Sequence, residues 1–118
     1  AYREALEKGS YESRVELDEP LYEDVSPSEY IDLATSEIPE IVREAVPSSL
    51  TCTMPQVDVA TDGVEVALLC REPEEPENPW VRLKLTFIYD HETRYITLHE
   101  VSAYIEEKPP TEDSEASL

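Results

Sequence analysis

Apolar and polar side chains alternate near the start of the chain. Tyr11, Val15 and Leu17 fall on one side of this alternation, and the charged residues between them fall on the other. A period of two is typical of a strand with one buried face. Pro20 follows closely and cannot donate a hydrogen bond to a sheet. The pattern therefore predicts a half-buried strand over residues 11–17.

A helix start follows at Ser26. Glu29 stands three residues after this serine, and a proline stands between them at the first helical position, which is a capping-box pattern. Apolar residues continue at helical spacing, but Pro39 cannot donate a backbone hydrogen bond inside a helix. We expect two short helices, about 27–36 and 39–46, or one kinked helix. The predicted apolar stripe comprises Ile31, Ala34, Ile38, Ile41, Val42, Ala45 and Val46.

The period of two returns after Pro47. Apolar side chains alternate with polar ones over residues 50–59, and Thr61, Asp62 and Gly63 then lead into another alternating run. An Asp-Gly pair between alternating valines is a strong hairpin signal. We expect two antiparallel strands joined at this turn.

Two long strands are predicted after residue 79. They cover residues 80–89 and 94–105, and residues 90–93 form the turn between them. The inward side chains of the first of these strands should be Val81, Leu83, Leu85, Phe87 and Tyr89.

The second long strand changes parity partway along. Ile96 and Leu98 share one face, whereas the apolar residues from Val101 onward have the opposite parity. A one-residue slip moves every later side chain to the other face of a sheet. The change therefore indicates a bulge near His99 and Glu100, or burial on both faces.

The order of these elements predicts an α+β domain. An N-terminal strand and a short helix pair precede an antiparallel meander of about four strands, and the helices should lie on one face of the sheet. We expect a single acidic domain over residues 1–106. Residues 107–118 have almost no apolar content and are expected to be a disordered acidic tail.

The net charge narrows the range of partners. The 118 residues include 28 acids and 9 bases, for a net charge of −19. Nucleic acids and anionic membranes select clustered Lys and Arg, so no direct nucleic-acid or membrane partner is expected, and a protein partner should be basic. No apolar run reaches the roughly 18 residues of a membrane span, and no signal-peptide pattern opens the chain. We expect a soluble, intracellular protein of the cytoplasm or nucleus.

Familiar catalytic and cofactor motifs do not occur in the sequence. CxxC, HExxH and GxSxG are missing, and two glycines cannot build a phosphate-binding loop. His91 and His99 have no partner at metal-ligand spacing. Cys52 and Cys70 are too few for a disulfide framework, so each is expected to be a small buried apolar residue. We therefore expect no enzyme activity, no metal and no cofactor.

The acidic charge is concentrated outside the most apolar stretch. Residues 80–105 carry three acids and three bases, whereas residues 71–79 carry four acids, one base and three prolines. Prolines interleaved with glutamates cannot form a central strand, so residues 72–79 should be an exposed acidic loop. An aromatic side chain beside such a loop suits a partner surface that presents an arginine and an apolar pocket. The candidate partner-binding residues are Glu72, Glu74, Glu75, Glu77 and Trp80.

Three functions stay open. The first is a protein-interaction module, such as an adaptor, chaperone or inhibitor, that binds a basic protein. The second is a nucleic-acid mimic, which needs carboxylates in rows on rigid elements. The third is a small-ligand domain with a pocket between helices and sheet, although no sequence feature places polar groups in such a pocket. The helix acids that a mimic would use, and that otherwise form a solvated face, are Glu29, Asp32, Glu37, Glu40 and Glu44.

Overall fold

Over the residues that the structure describes, the fold is a six-stranded antiparallel sheet with helices on one face, which confirms the predicted α+β class. The computed structural model describes residues 2–14, 20–74 and 77–106. The predicted tail over residues 107–118 lies outside the described residues, as do residues 15–17 of the first predicted strand.

Six strands form the sheet in the order β1-β6-β5-β4-β2, and β3 pairs with the same edge of β4 as β2 does. All pairings are antiparallel. The strands are β1 (Ser10–Arg14), β2 (Thr51–Cys52), β3 (Gln56–Ala60), β4 (Gly63–Arg71), β5 (Trp80–Asp90) and β6 (Tyr95–Glu106).

An N-terminal helix, α1 (Tyr2–Lys8), precedes the first strand and was not predicted. It buries Tyr2 and Ala5 against the sheet, and it ends at Gly9, whose φ of +88° favours glycine. A helix of seven residues is too short to be stable on its own. Tertiary packing therefore decides its conformation, and the local apolar pattern is too brief to reveal it.

The sequence predicted either two short helices or one kinked helix, and the structure has one continuous helix. It consists of α2 (Pro27–Asp32), a π-helical turn (Leu33–Glu37) and α3 (Ile38–Ala45), and we call these three segments together the long helix. The residues at both junctions keep right-handed helical φ and ψ.

The π turn changes which apolar residues face the sheet. A four-residue repeat drifts by about 40° per step in a regular α-helix, and a wider turn with i→i−5 bonding absorbs this drift. The Ile38 N–H donates to the Leu33 carbonyl in this way. The predicted stripe was therefore wrong at Ile31, which is 48% exposed, and at Ile41, which is 36% exposed. Ala45, also in the predicted stripe, is exposed as well. The residues buried at four-residue spacing are Tyr30, Ala34, Ile38 and Val42.

The core lies between the long helix and the inner face of the sheet. All five residues predicted to point inward from β5 are buried or half-buried there. Tyr30 stacks on Tyr89 with ring centroids 4.5 Å apart, and its hydroxyl donates to the Ala60 carbonyl at 2.6 Å. These contacts fix the long helix across the β3–β4 and β5–β6 hairpins.

The bulge predicted in the last strand is confirmed. Thr86 pairs with Glu100 and Phe87 pairs with Leu98, so His99 is the extra residue on β6. The bulge restores the inward direction of Val101 and Ala103, which pair with Leu85 and Leu83.

Cys52 and Cys70 form a disulfide, so the expectation of two unpaired apolar cysteines was wrong. They are directly opposite each other in β2 and β4, with their Cα atoms 4.1 Å apart. Close Cα approach is typical of non-hydrogen-bonded pairs in antiparallel sheets. The pairing depends on the register of a two-residue strand, which no sequence motif encodes.

Candidate functional site

The predicted acidic loop divides into two environments. Glu74 and Glu77 are exposed as expected, and Glu75 lies outside the described residues. Glu72 is half-buried instead, and its N–H donates to the Tyr2 hydroxyl at 3.2 Å. The N-terminal helix, missed in the sequence, is the reason that Glu72 is drawn inward.

Trp80 begins β5 on the outer face of the sheet, opposite the face that the described helices cover. Its ring is half-buried, and the Arg71 guanidinium carbon lies 4.8 Å from the ring centroid. This is cation–π distance. Arg71, in β4 of the same chain, therefore makes with Trp80 the kind of arginine contact that the sequence analysis expected from a partner.

The outer sheet face also holds cross-strand ion pairs. Arg82 Nε lies 2.7 Å from Glu106 Oε2, and Lys84 Nζ lies 3.6 Å from Glu65 Oε2. Arg82 donates a further bond of 3.2 Å to the Gln56 side-chain oxygen. These cations already have acidic neighbours on the same face.

The long helix presents a row of acids to solvent. All five acids singled out in the sequence are exposed. The π turn places Glu37 where residue 36 would stand in a regular α-helix, which aligns it with Asp32 before the turn and Glu40 after it. We call the set Glu29, Asp32, Glu37, Glu40 and Glu44 the acidic row.

Local bonds hold parts of the acidic row in place. Glu29 occupies the N3 position of the capping box, and the Ser26 hydroxyl and N–H that bond to it lower the pKa of its carboxyl group. Glu37 accepts a hydrogen bond from the Tyr22 hydroxyl at 3.3 Å. Burial, followed by the Glu37 charge, raises the pKa of that hydroxyl. Glu40 pairs with Arg43 one turn later at 3.3 Å.

A cleft opens on the inner side of the sheet. Its volume is about 460 Å³, and it lies between α1, the end of α3 with the following turn, and the central strands. Most of its wall is apolar, although Glu4 and Glu72 also contribute to it. The sequence held no signal for this cleft because one wall is the unpredicted helix α1.

Neither histidine belongs to a metal site in the described part of the chain. His91 Nε2 lies 2.8 Å from the Thr61 carbonyl oxygen, and the ring makes an edge contact with Tyr89. Over residues 2–14, 20–74 and 77–106, no group of three or more His, Cys, Asp or Glu side chains is arranged to hold a metal ion.

Neither the helices nor the similarity of this chain to known proteins assigns it a function. Within the described residues, every helix is too short or too polar to cross a bilayer. Comparisons of this chain with protein-family models, with curated proteins and with solved structures find no match.

Proposed function

We propose that this domain is an acidic protein-interaction module whose partner is a basic protein. The observation that carries the proposal is the acidic row, in which five exposed carboxylates follow one side of the long helix. Such a row attracts a cationic surface and steers its approach, so association should weaken as salt rises. In this proposal the domain acts by binding a protein. The proposal requires no catalysed reaction, no metal and no cofactor.

The exposed part of the loop is a second candidate contact, separate from the acidic row. Glu74 and Glu77 are exposed, and Trp80 supplies an aromatic surface at the start of β5. We retain Glu72 and Glu75 in the set to be tested with them. Proline-rich loops lose little entropy on binding, which favours contacts made there.

A nucleic-acid mimic is the second candidate, and the same row supports it. From Glu29 to Glu44 the helix rises about 22 Å at about 1.5 Å per residue. Five charges over that length lie farther apart than the phosphates of one DNA strand, which recur about every 3.4 Å along the axis. This lower density favours a basic protein surface over a groove shaped for duplex DNA.

The disulfide between Cys52 and Cys70 is evidence about the cellular compartment of the protein. Disulfides persist in oxidising surroundings and are rare in the cytosol and nucleus. We therefore propose an oxidising compartment in place of the cytoplasmic or nuclear location expected from the sequence. The protein is isolated from its natural source under acid quench and treated with a thiol-alkylating reagent. The reagent should label neither cysteine before reduction and both cysteines after it. Labelling without reduction would contradict the proposal.

The test compares two sets of substitutions on one recovered partner. Proteins captured from native lysate and eluted by a salt gradient provide the partner, and its association rate is then measured against salt. The helix set changes all five residues of the acidic row to Gln or Asn. The loop set changes Glu72, Glu74, Glu75 and Glu77 to Gln. Gln at position 29 can still complete the capping box, so the fold should survive.

A charge-matched control separates local contacts from net charge. Glu7, Glu12, Asp58 and Glu92 are exposed and lie outside both sets, and their neutral variants remove four charges as the loop set does. We expect the helix set to slow association most, the loop set to slow it less, and the control to have the smallest effect. Equal effects from all three would refute a defined surface. Competition by duplex DNA for the same partner would favour the mimic.

A further inference from the structure

The cleft opens beside one end of the acidic row. Val42 and Ala45 of α3 line it, and the chain continues around it through Val46 and Pro47. Ala45 directly follows Glu44, the last carboxylate of the row. The cleft and the end of the acidic row therefore share one turn of the same helix.

Ile41 connects the cleft to the acidic row. Residues three and four apart on an α-helix are surface neighbours, so Ile41 lies beside both Glu44 and Ala45. Ile41 is 36% exposed, and Ala45 is exposed as well. An apolar strip therefore runs from the cleft to the edge of the carboxylates. Contiguous apolar surface with a polar rim is typical of an interaction site.

The cleft is large and apolar enough to receive a side chain from a partner. Its volume is about 460 Å³, within the roughly 300 to 1,000 Å³ of ligand pockets. Valine, leucine and proline side chains form most of its wall. Glu4 and Glu72 also line it, but both have partners within the chain, so we assign neither of them to a ligand. The remaining wall suits an apolar side chain.

Bonds within the chain hold the cleft in shape. The disulfide joins Cys52 to Cys70, and Leu50, two residues before Cys52, lines the cleft. The Tyr2 hydroxyl accepts a hydrogen bond from the Glu72 N–H, which ties α1 to the end of β4. The cleft is therefore preformed, and a preformed site costs little to order on binding.

The charge beside the cleft favours one class of partner. Residues 27–50 include five acids and one base, Arg43, which pairs with Glu40 at 3.3 Å. A cationic surface is attracted to this end of the long helix. A second copy of this chain would bring its own net charge of −19 and would be repelled.

We propose that the basic partner inserts one apolar side chain, which we call the anchor, into this cleft while neighbouring basic residues contact the acidic row. This inference rests on the proposed function, because the same row attracts the partner. It adds a requirement that charge alone does not make: a basic segment without an anchor should bind weakly.

Three short peptides test for the anchor. Their sequences are Lys-Lys-Phe-Lys-Lys, Lys-Lys-Ser-Lys-Lys and Glu-Glu-Phe-Glu-Glu, each acetylated and amidated at its ends. Each is titrated into the full chain at one salt concentration and followed by amide chemical shifts. The phenylalanine peptide with lysines should bind about tenfold tighter than the serine peptide, because it buries an aromatic ring. The glutamate peptide should show no saturable binding.

Matched variants locate the anchor. Ser48 and Ser49 are neighbouring exposed residues of the turn after α3, and of these two Ser49 lines the cleft. Ser49→Trp should fill the cleft and lower the affinity of Lys-Lys-Phe-Lys-Lys to that of the serine peptide, whereas Ser48→Trp should not. Ile31 and Ile41 are exposed isoleucines of the same helix, and Ile31 does not line the cleft. Ile41→Ser should weaken Lys-Lys-Phe-Lys-Lys about threefold, and Ile31→Ser should leave it unchanged.

A double variant separates this inference from the proposed function. Glu40→Gln with Glu44→Gln removes two charges of the acidic row and should weaken both lysine peptides by the same factor. If both peptides respond but bind equally tightly, the anchor is refuted and the proposed function stands. If neither responds, the row does not attract cations, and the proposed function fails together with the inference.

Two further outcomes would overturn the anchor. They are equal effects of Ser49→Trp and Ser48→Trp, and saturable binding of the glutamate peptide. Amide spectra of every variant, recorded without peptide, show whether the fold is intact. If Ser49→Trp does not fold, Ala45→Trp, at an exposed lining position of α3, replaces it.

Discussion

Ser26 begins the long helix through the two hydrogen bonds of the capping box that the sequence predicted. Its hydroxyl accepts from the Glu29 N–H at 3.2 Å, and the Ser26 N–H donates back to Glu29 Oε1 at 3.2 Å. Ser26→Ala should lower the free energy of unfolding by about 1 kcal/mol, measured by urea titration. Ser36→Ala on the same helix removes a hydroxyl that bonds to the Asp32 carbonyl, and should be close to neutral.

The capping box at Ser26 also makes the stability of the protein depend on pH in the acidic range. The bonds from Ser26 place the pKa of Glu29 in the folded protein below its value in the unfolded chain. The stabilisation that ionised Glu29 gives the folded protein is therefore present above the pKa of the unfolded chain, and it is lost as pH falls through the pKa of the folded protein. In Ser26→Ala, an NMR titration should show the Glu29 pKa rising toward its ordinary value. An unchanged Glu29 pKa would mean that the N–H of residue 26, which the substitution keeps, is enough to lower it.

Gly63 marks a hairpin for a different reason from the one the sequence suggested. The two turn residues are Thr61 and Asp62, and Gly63 already pairs with Ala60 at the start of β4. A Cβ atom at position 63 would lie 2.6 Å from the Phe87 carbonyl oxygen. Close approach of two backbones, and not a left-handed conformation, therefore requires glycine here.

Gly63→Ala should consequently destabilise the protein by about 1 to 3 kcal/mol, because β4 and β5 must separate to admit the methyl group. Urea unfolding measures the loss. Ala67→Ser, on the same face of β4, serves as a control for small changes in that strand. If the urea midpoint of Gly63→Ala equals that of the wild type, β5 moves aside for the methyl group without loss of stability.

At the level of elements, the cross-strand disulfide holds the shortest strand in place. The bond joins residues 18 apart in sequence, and a closed loop of that length contributes about 3 kcal/mol in the chain-entropy model. The double variant Cys52→Ala, Cys70→Ala should lose about that amount in urea unfolding. Wild-type protein unfolded in reductant should match the variant, and a variant as stable as the oxidised wild type would contradict the bond.

Local signals predicted most of the elements. The alternation in β5, the parity change at His99 and the capping box at Ser26 each depend on a few neighbouring residues, and all three are confirmed. Elements decided by distant contacts were missed. Helix α1 is stabilised by packing, and the disulfide depends on strand register.

The candidate site shows the same division. Exposure of Glu74 and Glu77 follows from proline and charge, which are local properties. The inward position of Glu72 depends on Tyr2, 70 residues away. The alignment of the acidic row depends on the π turn, and α-helical spacing does not predict that turn.

For the whole molecule, a net charge of −19 creates repulsion between unpaired surface acids. Salt screens this repulsion, since the Debye length falls from about 30 Å at 0.01 M to about 8 Å at 0.15 M. We expect the melting temperature to rise over that range, measured by circular dichroism with sodium chloride. A flat series would show that the acids are already well separated or paired.

Removing residues 107–118 should leave the melting temperature within a few degrees of the full chain. This prediction depends on composition, because the segment has too few apolar residues to offset the entropy of ordering. Calorimetry of the shortened and full chains at equal salt compares them. A fall of many degrees would place the segment within the folded domain.

The π turn also determines how the long helix responds to a change in its length. Without one residue of Leu33–Glu37, the buried positions would fall at 30, 34, 37 and 41, the four-three-four spacing of an ordinary α-helix. The turn is thus equivalent to a single inserted residue that the fold has absorbed. A deletion there, combined with Pro39→Ala so that no ring meets the straightened helix, should keep both faces aligned. A deletion from a regular α-helical stretch would instead rotate every later side chain by about 100°.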